Sequence, residues 1–184
     1  GFSSKINSRN IEYFDKQILV PFGEYIPLKN IFPFIKKFTY GSANFSKGNT
    51  ERNLSLFKNI NFIPSICFEN IFFEDIILDN NDTNKLIINI TNDAWFGKYQ
   101  GPYQHFYQSI LRSSEFNKYL IRVSNNGISA IVNPKGQVLE STQLNEKIAI
   151  KYNLKIKDFK NNKHLDNKYI IFYLYLFLIL LISI

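Results

Sequence analysis

The chain is poor in reactive and metal-binding side chains: one cysteine, two histidines, one tryptophan and no methionine in 184 residues. A lone Cys67 excludes an internal disulfide framework and any thiolate zinc cluster. His105 and His164 lie far apart without metal-ligand spacing, so neither a metal site nor a cofactor is expected. Polar low-complexity sequence is missing too. A composition 45% hydrophobic, 16% aromatic and 20% charged excludes a disordered chain, a collagen-like repeat and a polar solenoid. The length suits one domain with its own core.

Charge is present without being localised. The formal +7 comes from lysines spread along the chain, beside heavy use of Asn, Ile, Phe and Tyr, which reads as compositional drift. A basic module binding nucleic acid or anionic lipid finds no motif in support, and no nucleic-acid partner is expected. The start at Gly1 is polar, resembles neither signal nor targeting peptide, and leads us to expect further sequence upstream. Residues 169–184 carry no charge. As a helix they would cover roughly 24 Å against a hydrocarbon core of about 30 Å. An all-round apolar run with Tyr at one end and a basic approach predicts a membrane helix. The other reading is a buried terminal helix or strand.

Between these ends the pattern is mixed. Residues 1–12 are expected to be irregular, and 14–20 read as a strand closed by Pro21 and Gly23. Pro27, Pro33, Gly41 and Gly48 break up the aromatic stretch containing Phe32, Phe34, Phe38, Tyr40 and Phe45, either a core-packing connection or a lipid-facing arm. Residues 54–57 and 60–66 predict a hairpin, and 69–79 a helix. A buried strand is expected over 85–91, a helix over 102–118, and strands over 119–124, 128–133 and from 138. Residues 134–136 form a turn, and 147–154 read as a last strand. Strands alternating with helices, then adjacent strands, predict an α/β layered sandwich.

Three residue types carry chemistry. Cys67 ends a buried strand before a helix, an elbow where backbone N–H groups lower a thiol pKa and supply oxyanion donors. Its alternative is a small buried hydrophobe. Lys16 lies in an apolar segment, which is costly unless the ammonium is paired or used; otherwise it is a solvated edge lysine. Glu24 follows a Pro-Phe-Gly turn that can fold back toward Lys16. Glu69 is either part of the site or a carboxylate at a helix start.

In this setting the motifs become recognisable. Tyr13-x-x-Lys16-x-x-Leu19-Val20-Pro21-Phe22-Gly23-Glu24-Tyr25-x-Pro27 resembles the lysine block of the nitrilase (carbon–nitrogen hydrolase) superfamily, in the form found in apolipoprotein N-acyltransferases. Ile66-Cys67-Phe68-Glu69 resembles the nucleophile block, and Asn89-Ile90-Thr91-Asn92-Asp93-Ala94-Trp95-Phe96-Gly97 the block after it. Gly101-Pro102-x-Gln104-His105 and Arg122-x-x-Asn125-Asn126-Gly127-Ile128-Ser129-Ala130 complete the order. Five ordered blocks are far more specific than any single motif.

The resemblance implies an αββα sandwich with a Glu–Lys–Cys triad: Cys67 the nucleophile, Lys16 the oxyanion cation, and the Phe68 N–H a second donor. Glu24 and Glu69 match accessory acidic positions, and Trp95 an aromatic beside the site; on composition alone Trp95 is equally a core residue. His105 and Arg122 look like scaffold. Two departures stand out. The triad glutamate has no match in residues 1–12, and Phe68 stands where the family usually has Tyr, without its hydroxyl. The implied organisation is the second half of the catalytic domain over 1–155, a basic linker over 156–168 and a transmembrane helix over 169–184. The implied activity moves an acyl chain from a phospholipid, through a cysteine thioester, to the N-terminal diacylglyceryl-cysteine of apolipoproteins. It would take place at the bacterial inner membrane, with the catalytic domain on the periplasmic face. A soluble amidase of the same superfamily is the alternative.

Overall fold

The structure is a computed structural model and describes residues 2–7, 10–28, 31, 34, 44–56, 60–72, 84–156, 173, 174 and 177. Strands β1 (Phe2–Asn7) and β2 (Asn10–Phe14) form an antiparallel hairpin. The main sheet has six strands in sequential order: β3 (Leu54–Leu56), β4 (Ile60–Ile66), β5 (Leu86–Asn92), β6 (Tyr119–Asn125), β7 (Ala130–Val132) and β8 (Val138–Ser141). The central β4, β5 and β6 are parallel, and the flanking pairs are antiparallel. Strands covered on both faces need apolar residues on both, which is why these three begin as nearly continuous apolar runs. Each turns polar toward its carboxyl end, at Ser65, at Asn89 to Asn92 and at Arg122 to Asn125.

Helix α1 (Gln100–Glu115) covers one face of the sheet. Its Phe106 packs with Ile63, Ile87, Leu120 and Val132 in one buried cluster, with Ile110 beside it. On the opposite face Phe14, Leu54, Phe62, Leu86 and Tyr119 form a second cluster. Pro64 cannot donate to a ladder, and it lies beyond the short reach of β3, whose pairing stops at Phe62. The Arg52 guanidinium takes up the Pro64 carbonyl instead, at 2.9 Å.

Several expectations need correction. Residues 1–12 are not irregular, since they hold β1 and most of β2. The strand expected over 14–20 ends at Phe14, and the segment with Lys16 runs on without a ladder partner. The hairpin over 54–66, the strands at 86–92 and 119–125, the helix and the turn at 134–136 are present. Residues 147–154 form no strand; Leu154 and Ile156 pack against the second cluster instead. In place of a helix from residue 69 there is a 3-10 turn, Cys67–Ile71, and 73–83 lie outside the described residues. So do Phe32, Phe38 and Tyr40, whereas Phe34 and Phe45 are exposed. The expected membrane helix over 169–184 also lies outside them, apart from Tyr173, Leu174 and Phe177, which are helical and exposed. Among the described residues no helix is long and apolar enough to cross a membrane.

Candidate active site

The parallel strands deliver their chemistry at one edge. Cys67 follows β4 directly and takes φ +55°. A non-glycine residue in this left-handed region costs on the order of 1–3 kcal/mol and persists only where its surroundings enforce it. The neighbouring lysine segment has the same property, since Phe22 of the Pro-Phe-Gly turn sits at φ +60°. Both turns border one cavity of about 480 Å³, whose walls include Lys16, Glu24, Cys67, Phe68 and Trp95. The rest of its lining is largely apolar, from Val20, Phe45, Ile66, Ile90 and Phe96.

Lys16 and Glu24 form an ion pair in which Nζ donates to both carboxylate oxygens, at 2.8 and 2.7 Å. The fold-back is local. Glu24 Oε2 also accepts from the Val20 N–H at 2.8 Å, closing the turn around its own carboxylate. A Cβ on Gly23 would stand 3.3 Å from the Trp95 ring, so this turn lies against the indole with no room to spare. Trp95 is 53% exposed, which sets aside its reading as a core residue.

Glu69 belongs elsewhere. It is completely buried and does not line the cavity. Its Oε2 accepts from the Ile66 N–H at 2.7 Å, while Oε1 accepts from the Gln17 and Ile18 N–H groups at 2.8 and 3.1 Å. The Arg52 guanidinium donates to both oxygens, at 3.2 Å each. One carboxylate therefore fastens the segment after Lys16 to the residue before Cys67, across some fifty positions of sequence. Arg52 escaped the sequence reading. Its signal is its residue type: the chain has only four arginines beside its many lysines, and a planar fork is what a buried carboxylate needs. Its guanidinium also stacks 4.8 Å over the Phe14 ring.

Beneath the cavity, on the side of α1, lies a second buried ion pair. Arg122 Nη2 donates to Asp93 Oδ2 at 2.7 Å, and both side chains are fully buried. His105 Nδ1 meets Asp93 Oδ1 at 2.8 Å, and a proton on Nδ1 makes this a hydrogen bond to the carboxylate. Burial opposes the charge on Asp93, but the His105 hydrogen bond and the Arg122 cation outweigh it and hold the carboxyl below its usual range. Burial pulls the Arg122 pKa down, and the charge and hydrogen bond of Asp93 push back. Among the described residues no group of three or more His, Cys, Asp or Glu side chains is placed to hold a metal ion.

The sequence pattern of the family described as carbon-nitrogen hydrolase matches residues 11–158. Among curated proteins, the apolipoprotein N-acyltransferase of Rickettsia prowazekii is 48% identical over 142 residues, which are 77% of this chain and 28% of that protein. The apolipoprotein N-acyltransferase of Rhizobium leguminosarum bv. trifolii is 42% identical, over 72% of this chain and 25% of its own. The chain thus spans little more than a quarter of the curated relatives it matches. A solved structure, Saccharomyces cerevisiae Nit3 of the nitrilase superfamily, overlaps with a TM-score of 0.48 at 17% identity, over 56% of this chain and 41% of that one.

Proposed function

The chain belongs to the carbon–nitrogen hydrolase family, and we propose that the protein it represents is an apolipoprotein N-acyltransferase. One observation carries the reading: a thiol at a strained turn opens, beside a paired lysine, into a cavity walled mainly by apolar side chains. Such walls suit an acyl chain better than the small polar amide that an amidase takes. The names of the relatives point the same way.

In this reading Cys67 is the nucleophile. A carboxylate accepts its proton as sulfur attacks an ester carbonyl of the phospholipid. Lysine has three N–H donors; Lys16 uses two on Glu24 and keeps one for the oxyanion. The Phe68 N–H is the second donor. Preorganised donors of this kind contribute a few kcal/mol each. The C–O bond then breaks, the lysophospholipid oxygen takes the proton back, and a thioester remains. The α-amine of the lipid-modified N-terminal cysteine attacks the thioester, releasing the Cys67 thiolate, and the amine's proton passes by way of the carboxylate to the sulfur. Glu24 is engaged by Lys16 and Glu69 by Arg52; the family resemblance implies a further glutamate as the base, and we assign proton transfer to it. Trp95 walls the cavity beside the lysine turn.

We assign residues 1–155 to the second half of the catalytic domain, 156–168 to a linker and 169–184 to a membrane helix. Both substrates would be lipid-anchored, which supports a site at the bacterial inner membrane; we assign the catalytic domain to its periplasmic face. The test uses the full-length protein with phospholipid and a diacylated lipopeptide. Wild type should carry an acyl adduct on the Cys67 peptide, and Cys67→Ser should carry none and transfer nothing. Hydrolysis of simple amides without acyl transfer would replace this reading with the amidase.

A further inference from the structure

The layer beneath Cys67 contains a polar row with no part in the steps above. Ser65, Asn89 and Arg122 are register partners across β4, β5 and β6, forming one rung. All three are buried between the sheet and α1, just below the edge where Cys67 turns away. Arg122 has donors only, so the oxygen of the Asn89 amide must face it, and Nη1 reaches that oxygen at 2.7 Å. The amide nitrogen is thereby aimed the other way, at the Ser65 carbonyl (3.1 Å) and the Cys67 carbonyl (3.4 Å). The other arm of the same guanidinium holds Asp93, the first residue of the short turn Asp93–Phe96 that carries Trp95.

We infer that Arg122 and Asn89 are positioning residues: one buried guanidinium, acting through the Asn89 amide and through Asp93, sets the strained Cys67 turn and the Trp95 wall at a fixed separation. The inference rests on Cys67 being the nucleophile. A left-handed Cys67 needs enforcement from outside its own turn, and its carbonyl is the atom the Asn89 amide holds. The fork geometry matters because two acceptors in different directions are served by one rigid plane. A lysine at this position would keep the charge and lose one arm.

The test compares three variants of the full-length protein. Asn89→Asp keeps the Arg122 partner but turns a donor into an acceptor facing two carbonyls. Arg122→Lys keeps the charge and loses the fork. Ser109→Ala removes a different hydrogen bond to Arg122, at 2.8 Å, and leaves the Asn89 and Asp93 arms intact. The readouts are acyl-adduct formation on Cys67, the KM for phospholipid, alkylation of Cys67 by iodoacetamide followed on its peptide, and the melting temperature. We expect the first two variants to lose about 10²-fold in the rate of adduct formation, the size of a small misplacement, with KM within about threefold. Ser109→Ala should lose stability and keep its rate. Equal rate loss in Ser109→Ala, or an Asn89→Asp rate within about threefold of wild type, overturns the inference. If wild type forms no acyl adduct while alkylation falls in the same order, the positioning stands and the acyl-transfer reading fails.

Discussion

Lys16 and Glu24 form a closed unit, because Glu24 also accepts the Val20 N–H and keeps a partner when the lysine is removed. On the proposed mechanism Lys16→Ala should lose activity far more than stability, since its third N–H is assigned to charge that develops in the transition state. We expect a loss of roughly 10²-fold or more in turnover, measured in the full-length protein beside its melting temperature. A variant within about threefold of wild-type turnover but with a lowered melting temperature would make Lys16 structural. Glu69 predicts the opposite balance. It gathers five donors in a site without water access, and Glu69→Gln would turn one acceptor into a donor facing donors. That substitution should cost several kcal/mol of stability, the usual outcome when a buried charge loses its counterpart, and denaturant titration measures it. At this scale the motif blocks of the resemblance led us to expect Cys67, Lys16, Glu24 and Trp95 in one place, and all four line the same cavity. The roles of Arg52 and Asn89 were not legible in the sequence, because they depend on which distant backbone groups the fold brings beside them.

Among the elements, the parallel strands and α1 were legible because burial on both faces, and on one face, leaves its period in the sequence. The lysine segment was misread for a physical reason. Its apolar residues look like a strand, but the Gln17 and Ile18 N–H groups are taken by the Glu69 carboxylate rather than by a neighbouring ladder. Residues 147–154 alternate as a strand should, yet pair with no strand among the described residues. The segment Asn125-Asn126-Gly127 is tightly constrained. A Cβ at Gly127 would run into the Asp93 carboxylate and the Ser124 hydroxyl. Gly127→Ala should thus destabilise the fold and also slow acylation, since it displaces the partner of Arg122. The melting temperature and the adduct-formation rate should fall together. The same carboxylate gives a pH dependence. Its folded pKa lies below the unfolded value of about 3.9, so its contribution is complete above that value and is lost as pH falls through the folded pKa. Denaturant titrations from pH 6 to about pH 2 should show a steeper acid loss in wild type than in Asp93→Asn; parallel curves would mean that Asp93 does not set the slope.

For the molecule as a whole, the site lies where open α/β sheets place their ligands, outside the carboxyl ends of parallel strands. Among the described residues the two faces of the six-stranded sheet are covered unequally. Helix α1 covers Ile63, Ile87 and Leu120, whereas Leu56, Ile66, Ile88 and Ile121 on the other face remain partly exposed around Phe62 and Leu86. An apolar face of this kind favours association with other chains over a monomeric fold. Among the described carboxylates near Cys67, Glu24 is engaged by Lys16 and Glu69 by Arg52. Neither is placed to take a proton from Cys67 and return it to a leaving alkoxide. Residues 1–184 expressed alone should accordingly aggregate and transfer no acyl chain. Lipid or detergent should rescue neither defect, and the full-length protein should have neither. The measurement is acyl transfer to a diacylated lipopeptide in a membrane mimic, with light scattering on the same samples. Turnover by residues 1–184 alone would mean that Glu24 or Glu69 can leave its cation and serve as the base. Lys16→Ala and Arg52→Ala, made in that shorter chain, would then identify which one.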